Sequence, residues 1–230
     1  MTEFFLIAIV ALVLVIWGSY HSHQKRKAQL AEWAARHGWQ QLPDDNRPHD
    51  TWRGTPFQQG FSSPRIKERL YGEVNGWRTS SFQYQYEVRH SNGQTTSSST
   101  HYFHVIAVEL PAAMPMLELT RETVGTRIGK VFGSQDIQFE SEDFNRAWHV
   151  RAEDRRFAFD VIRPQTMELL MSQPYLGLPW RIDGNTIVTW HSGKQNLDRI
   201  FPEALRLISL LNTIPPFVWD NVGYSRDGHY

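Results

Sequence analysis

The first apolar run of the chain is unbroken. From Phe4 to Tyr20 it reads FFLIAIVALVLVIWGSY, seventeen residues without a charge. At about 1.5 Å per residue it predicts roughly 25 Å of helix, enough to cross the hydrocarbon core of a bilayer. Trp17 and Tyr20 stand at one end, where amphipathic rings favour the membrane–water interface. Apolarity on every helical face suits lipid better than a one-sided core contact. A cleaved signal peptide fits less well, because Met1-Thr2-Glu3 places no basic residue ahead of the run. The pattern then changes. Leu30, Trp33, Ala34 and His37 recur at helical spacing, and Gly38 is a natural residue to end the helix.

Trp39–Leu42 reads as extended, and Pro43 to Gly60 as loop, ordered because Trp52 and Phe57 are costly to expose. Asn75-Gly76 and Asn92-Gly93 are both type I′ hairpin signals between strand-like runs. They predict an antiparallel meander of Lys67–Val74, Trp77–Ser91 and Gln94–Leu110, with Glu73 opposite Arg78 and Phe82 opposite Phe103. Phe82, Tyr84 and Tyr86 share one face of the middle strand. That face reads first as core beneath a helix and second as an aromatic platform for a ligand. The stretch Thr95–Thr100 lacks an apolar face and is expected in solvent. Val105–Val108 is apolar on both faces, which predicts a central, covered strand.

Beyond Pro111 the expected elements are short. They are a strand at Leu117–Leu119, a helix over Arg121–Phe132, a strand through Trp148 and Val150, and a helix capped by Asp154 and carrying Phe157, Ala158 and Val161. A helix opens at Pro164, and a hairpin around Gly184-Asn185 joins Trp180–Asp183 to Thr186–His191. Leu197–Thr213 is the best amphipathic helix, with Ile200, Ala204, Leu207, Ile208 and Leu211 on one face and Arg199, Glu203, Arg206 and Ser209 on the other. Phe217 and Trp219 are expected to tuck the tail against the core. The sum is α+β: an N-terminal transmembrane helix (1–23), a juxtamembrane helix (24–38) and one domain (39–230) with an antiparallel β-meander covered by helices.

Charge refines this picture in two ways. The 24 basic and 24 acidic side chains cancel, which argues against bulk nucleic-acid binding. Lys25, Arg26 and Lys27 follow the apolar run directly, so the positive-inside rule places the domain in the cytoplasm and the N-terminus outside. The same three residues form a basic flank facing lipid headgroups. Cysteine is absent, which removes disulfides, thiolate nucleophiles and Cys-based metal sites.

The candidate chemistry is thin. Gly125-Thr-Arg-Ile-Gly129-Lys130 is one residue short of a P-loop, and Val131 stands where a magnesium-binding Ser or Thr belongs. His101 and His104 lie three apart in a strand and point to opposite faces, the wrong arrangement for chelation. Acidic clusters at Asp44-Asp45, Glu140 to Asp143 and Glu153-Asp154 fall in loop or cap contexts, with Asp143 and Asp154 reading as helix caps. Neither a serine elbow nor a cofactor motif occurs, and no cofactor is expected.

Phe139-Glu140-Ser141-Glu142-Asp143-Phe144-Asn145-Arg146, then Val150, Asp154, Phe157-Ala158, Pro164 and Met167-Glu168, resemble a segment of bacterial membrane-anchored proteins of unknown function. The entry Trp33…His37-Gly38-Trp39 and the tail Ile214-Pro215…Phe217-Val218-Trp219 are similar too. The resemblance implies a small membrane-tethered domain and carries over no activity or functional residue. The expectation is therefore a non-catalytic interaction module with an unknown protein partner. Its candidate surface is Phe82, Tyr84, Tyr86, Asn92, Glu140, Glu142, Asn145 and Arg146. The alternative is a hydrolase-like enzyme whose site assembles from distant residues, marked by His149 or His191 beside a carboxylate in a cleft.

Overall fold

The computed structural model describes residues 2–46, 52–57, 62–91, 96–121 and 135–224, with side chains from residue 13 onward in the first helix apart from Val15. Helix α1 (Thr2–His37) is continuous through both the apolar run and the amphipathic turns. Its C-terminal half buries Leu30, Trp33 and Ala34 at the spacing that the sequence predicts, whereas His37, expected on the same face, is exposed and rests on Trp33 and Phe201. Gly38 closes it at φ +70°, and the Trp39 N–H returns to the carbonyl of Ala34 at 2.8 Å. Strand β1 (Gln40–Leu42) follows. Among the described residues no helix is long and apolar enough to cross a membrane. Most of the expected span, residues 4–12, lies outside the residues whose side chains are described. The side chains of Val13, Leu14, Ile16, Trp17 and Tyr20 are all more than half exposed.

The sheet is antiparallel throughout, in the order β1-β2-β3-β4-β6-β5, with β7 on the other edge of β4. Strands β2 (Ser62–Val74), β3 (Trp77–Ser91) and β4 (Thr96–Arg121) form the expected meander. Glu73 faces Arg78 as read from the sequence. The second register is corrected: Phe82 faces Val105, and Phe103 faces Tyr84. Ser91 pairs with Thr96, so four residues rather than two connect the strands. A shift of two keeps every side chain on its expected face. The connecting residues, Asn92 among them, lie outside the described set, whereas Ser97–Thr100 are exposed as expected.

Strand β4 is far longer than predicted, because Pro111 and Pro115 do not end it. Pairing with β3 stops at Val108, and pairing with β6 (Trp148–Ala152) starts at Leu117. The prolines, which have no N–H to donate, occupy the interval between these partners. Strand β7 (Trp180–Ser192) runs along the opposite edge as one element. The expected hairpin at Gly184-Asn185 is therefore absent. Gly184, at φ +60°, sits at the register shifts near Met114 and bends a continuous strand. Strand β5 (Gln135–Ile137) pairs with β6 at the sheet edge. The expected helix over Arg121–Phe132 and the P-loop-like Gly125–Lys130 lie outside the described residues, apart from Arg121, which ends β4.

Helices α2 (Glu142–Ala147), α3 (Arg155–Val161), α4 (Pro164–Met171), α5 (Ile200–Thr213) and α6 (Pro216–Asn221) cover one sheet face together with α1. Asp154 caps α3 through Arg156 and Phe157 N–H, as predicted. Ser141, not Asp143, caps α2. Trp219 is fully buried, whereas Phe217 is exposed. The opposite face holds Ile66, Phe82, Tyr84, Tyr86, Val105, Ala107, Val188 and Trp190. Its cover is Trp52 and Phe57 from the loop ahead of β2, not a helix; Phe57 lies 4.8 Å from Tyr84 between ring centroids.

Gly72 in β2 marks where α1 and β1 meet the sheet. A Cβ there would stand 2.5 Å from the Trp39 indole, a contact that side chains do not tolerate. Gly72→Ala is expected to cost about 1–3 kcal/mol through overpacking. Denaturant unfolding followed by tryptophan fluorescence checks this, and an unchanged midpoint would show that Trp39 can move aside.

Candidate functional site

Three polar constellations emerge from this sheet, of which the sequence pointed only to His191 and Arg26, without their partners. The first lies under α5. Ser81 Oγ is 2.9 Å from His104 Nε2, and Gln195 donates to the same oxygen at 2.8 Å. The Asn196 amide, which can only donate, points at His104 Nδ1 at 3.4 Å. Nδ1 therefore accepts and the ring proton sits on Nε2, facing Ser81. That tautomer presents no lone pair to the hydroxyl, so His104 holds Ser81 in place rather than activating it. Burial pushes the His104 pKa down to about 3, with the charges of His191, Arg199 and Arg26 acting in the same direction and Glu203 against them.

His191 is the cross-strand neighbour of His104 and lies 3.1 Å from Glu203 Oε1. Arg206 donates to the other Glu203 oxygen at 2.9 Å. Glu203 thus leaves its expected solvent face and is 4% exposed. Burial raises its pKa, but His191 and Arg206 together outweigh that effect and hold the carboxylate below its usual range. His149 likewise meets a carboxylate, Asp136, at 3.3 Å. Each histidine named for the enzyme alternative thus meets a carboxylate, which is half of what that reading requires. Neither histidine lines the recess beside Arg181 or either of the two that flank α1.

The second constellation is a buried ion cluster across three strands. Glu118 on β4 stands opposite Arg151 on β6 and Arg181 on β7. Its oxygens lie 3.7 Å from Arg151 and 3.4 Å from Arg181. Arg181 also donates to the Thr55 carbonyl at 2.6 Å, tying the loop of Trp52 and Phe57 to the sheet. A recess of about 240 Å³ beside it is lined by Trp52, Arg53, Arg181, Asp183 and Thr186. A signal for this cluster stands in the sequence: Leu117-Glu118-Leu119, Val150-Arg151-Ala152 and Trp180-Arg181-Ile182 each centre one charge between apolar neighbours.

The third constellation surrounds the docked half of α1. Arg26 donates to Glu68 at 2.7 Å and to the Gln195 carbonyl at 2.9 Å. On one side a recess of about 390 Å³ is lined by Arg26, Glu32, Arg36 and Asp198, whose charges balance. On the other side a smaller recess gathers Lys27, Lys67 and Arg69.

The residues proposed from sequence as an interaction surface are not brought together. Phe82, Tyr84 and Tyr86 are 3%, 0% and 9% exposed beneath the loop, and burial pushes the Tyr84 pKa well above the usual phenol value. Glu140, Glu142 and Arg146 are exposed around α2, with Arg146 within 3.6 Å of Glu142. Asn145 instead closes the turn below α2, bonding both the amide and the carbonyl of Phe139. Among the described residues no group of three or more metal-ligating side chains gathers.

No protein-family model and no curated protein sequence matches the chain. Among solved structures, the crystal structure of the mycobacterial trehalose monomycolate transport factor A shares the fold. The TM-score is 0.57 at 12% sequence identity, over 81% of this chain and 94% of that one.

Proposed function

We propose that this chain is a membrane-tethered, non-catalytic accessory module that presents its sheet domain at a bilayer surface to a protein partner. One observation carries the reading. Helix α1 projects from the domain with Val13, Leu14, Ile16, Trp17 and Tyr20 exposed, whereas the same helix buries Leu30, Trp33 and Ala34 a few turns later. An apolar stretch left bare by its own domain calls for another apolar phase, and Phe4–Tyr20 has the length and composition for lipid. The fold shared with a transport factor supports an accessory role beside lipid transport. The hydrolase alternative has the His191–Glu203 pair as its basis. That pair is engaged with Arg206 and opens onto none of the recesses described.

In this reading the basic flank Lys25, Arg26 and Lys27 holds the domain on the cytoplasmic side. The hairpin, whose Ser97–Thr100 are exposed, and the rim of Glu140, Glu142 and Arg146 form the partner surface. Ser97 is exposed and the chain has no native cysteine. A Ser97→Cys variant is therefore expected to react with a membrane-impermeant maleimide only after cells are lysed. Reaction in intact cells would reverse the orientation.

A further inference from the structure

The smaller recess beside α1 has a volume of about 180 Å³ and lies between that helix and the first two strands. Its lining has an unusual origin. Lys67, Glu68 and Arg69 are consecutive residues of β2, which in a regular strand would alternate between faces, yet all three border the recess. The cause is a bulge: the β2–β3 register shifts between Lys67 and Leu70, and Glu68 takes φ +54°. Leu30 and Leu42 supply apolar lining.

The charges do not cancel. Arg26 and Glu68 neutralise each other at 2.7 Å. Lys27, Lys67 and Arg69 then face the single carboxylate of Asp44, and three cations less one anion leave two positive charges among the described lining residues. The Pro43 carbonyl accepts from Arg69 at 3.0 Å but offers no charge. The recess also has a defined depth. His23 and Lys27, both lining it, follow Tyr20 in the same helix by three and seven residues. These steps are roughly 5 and 10 Å along the axis, which matches the headgroup layer beneath a hydrocarbon core.

We propose that this recess binds the phosphate of an anionic phospholipid in the leaflet facing the domain, with Lys27, Lys67 and Arg69 as its cationic contacts. The assignment rests on the membrane-tethered reading above. It adds that the domain is held against one face of the bilayer by a lipid and does not swing freely on its helix.

The test uses the full chain. Flotation with phosphatidylcholine vesicles reads tethering alone. Native mass spectrometry of the chain released from mixed phosphatidylglycerol–phosphatidylcholine nanodiscs reads retained anionic lipid. The wild-type chain is expected to retain phosphatidylglycerol, and a Lys67→Ala/Arg69→Ala variant to retain about tenfold less while floating normally. Arg155→Ala/Arg156→Ala, which removes the same two charges from exposed positions on α3 outside the recess, is expected to behave as wild type. Near-UV circular dichroism checks the fold, and Lys67→Gln, which keeps the aliphatic stem, replaces the double variant if that spectrum changes. Equal retention by wild type and variant overturns the recess and leaves tethering intact. Displacement of the lipid by inorganic phosphate assigns the site to a soluble anion and also overturns it. A chain that fails to float overturns the tethering reading and the recess with it.

Discussion

Replacing Glu118 by glutamine is expected to lower the stability of the domain by about 3–5 kcal/mol. Glu118, Arg151 and Arg181 are 2%, 5% and 2% exposed, on three adjacent strands. Glutamine keeps the shape of the side chain but removes the one buried anion between two buried guanidiniums. The remaining carboxylates, Asp136 at 4.0 Å from Arg151 and Asp183 at 3.9 Å from Arg181, are more exposed and sit at the rim. Burial already pushes the Arg181 pKa down, with Glu118 and Asp183 acting against it. Without Glu118 that penalty stands less opposed. For a domain of this size the loss corresponds to a fall in Tm of roughly 10 °C. The loss should be smaller in a Glu118→Gln/Arg181→Met double variant, because one stranded cation is removed with the anion. Calorimetry of the three proteins decides the matter. A single-variant loss below about 1 kcal/mol would mean that water reaches the cluster and solvates both arginines.

The second large effect is acid instability. His104 has a pKa of about 3 in the folded chain, against roughly 6.5 when unfolded. Between those values the unfolded chain binds a proton that the folded chain refuses. The stability owed to a neutral His104 is thus fully present above the unfolded value and is lost as pH falls from about 6.5 towards 3. The whole span amounts to about 3–5 kcal/mol. Glu203 adds to the loss at lower pH. Its folded pKa is held below the usual value, so its contribution is present above the unfolded value and disappears as pH falls through the folded one. Urea midpoints measured from neutral pH to pH 4 should fall steadily for the wild type. His104→Gln should start from lower stability and show a flatter slope over the same range. A wild-type midpoint independent of pH would mean that the folded state accepts the proton, most simply through a rotated Asn196 turn.

Much of the architecture was legible because local rules govern it. The spacing of Leu30, Trp33 and Ala34 located the docked face of α1, and Gly38 its end. Asn75-Gly76 set the first hairpin register to the residue, because a two-residue turn leaves the strands no slack. Asp154 capped its helix. Asn92-Gly93 failed in register by two positions because a longer connection served in place of the tight turn, while the alternation of faces survived. Gly184-Asn185 has the composition of a turn, yet β7 passes straight through it. A strand with a long partner already in place gains more from continued pairing than from reversing, and the glycine is absorbed as a bend.

By itself the sequence determined the uncharged run at Phe4–Tyr20, its basic flank, the α+β character and the lack of any compact catalytic motif, since each depends on residues close together in the chain. Only the tertiary structure decided the rest. It brought Glu118 between Arg151 and Arg181, turned Glu203 inward to His191, closed Trp52 and Phe57 over Tyr84, and set Lys67 and Arg69 beside Lys27. These contacts join residues far apart in sequence, and nothing local to either partner encodes them. Their geometry follows from strand register and from the bulges that re-aim individual side chains. Those in turn reflect which long-range pairings bury the most surface while leaving the fewest charges unmatched.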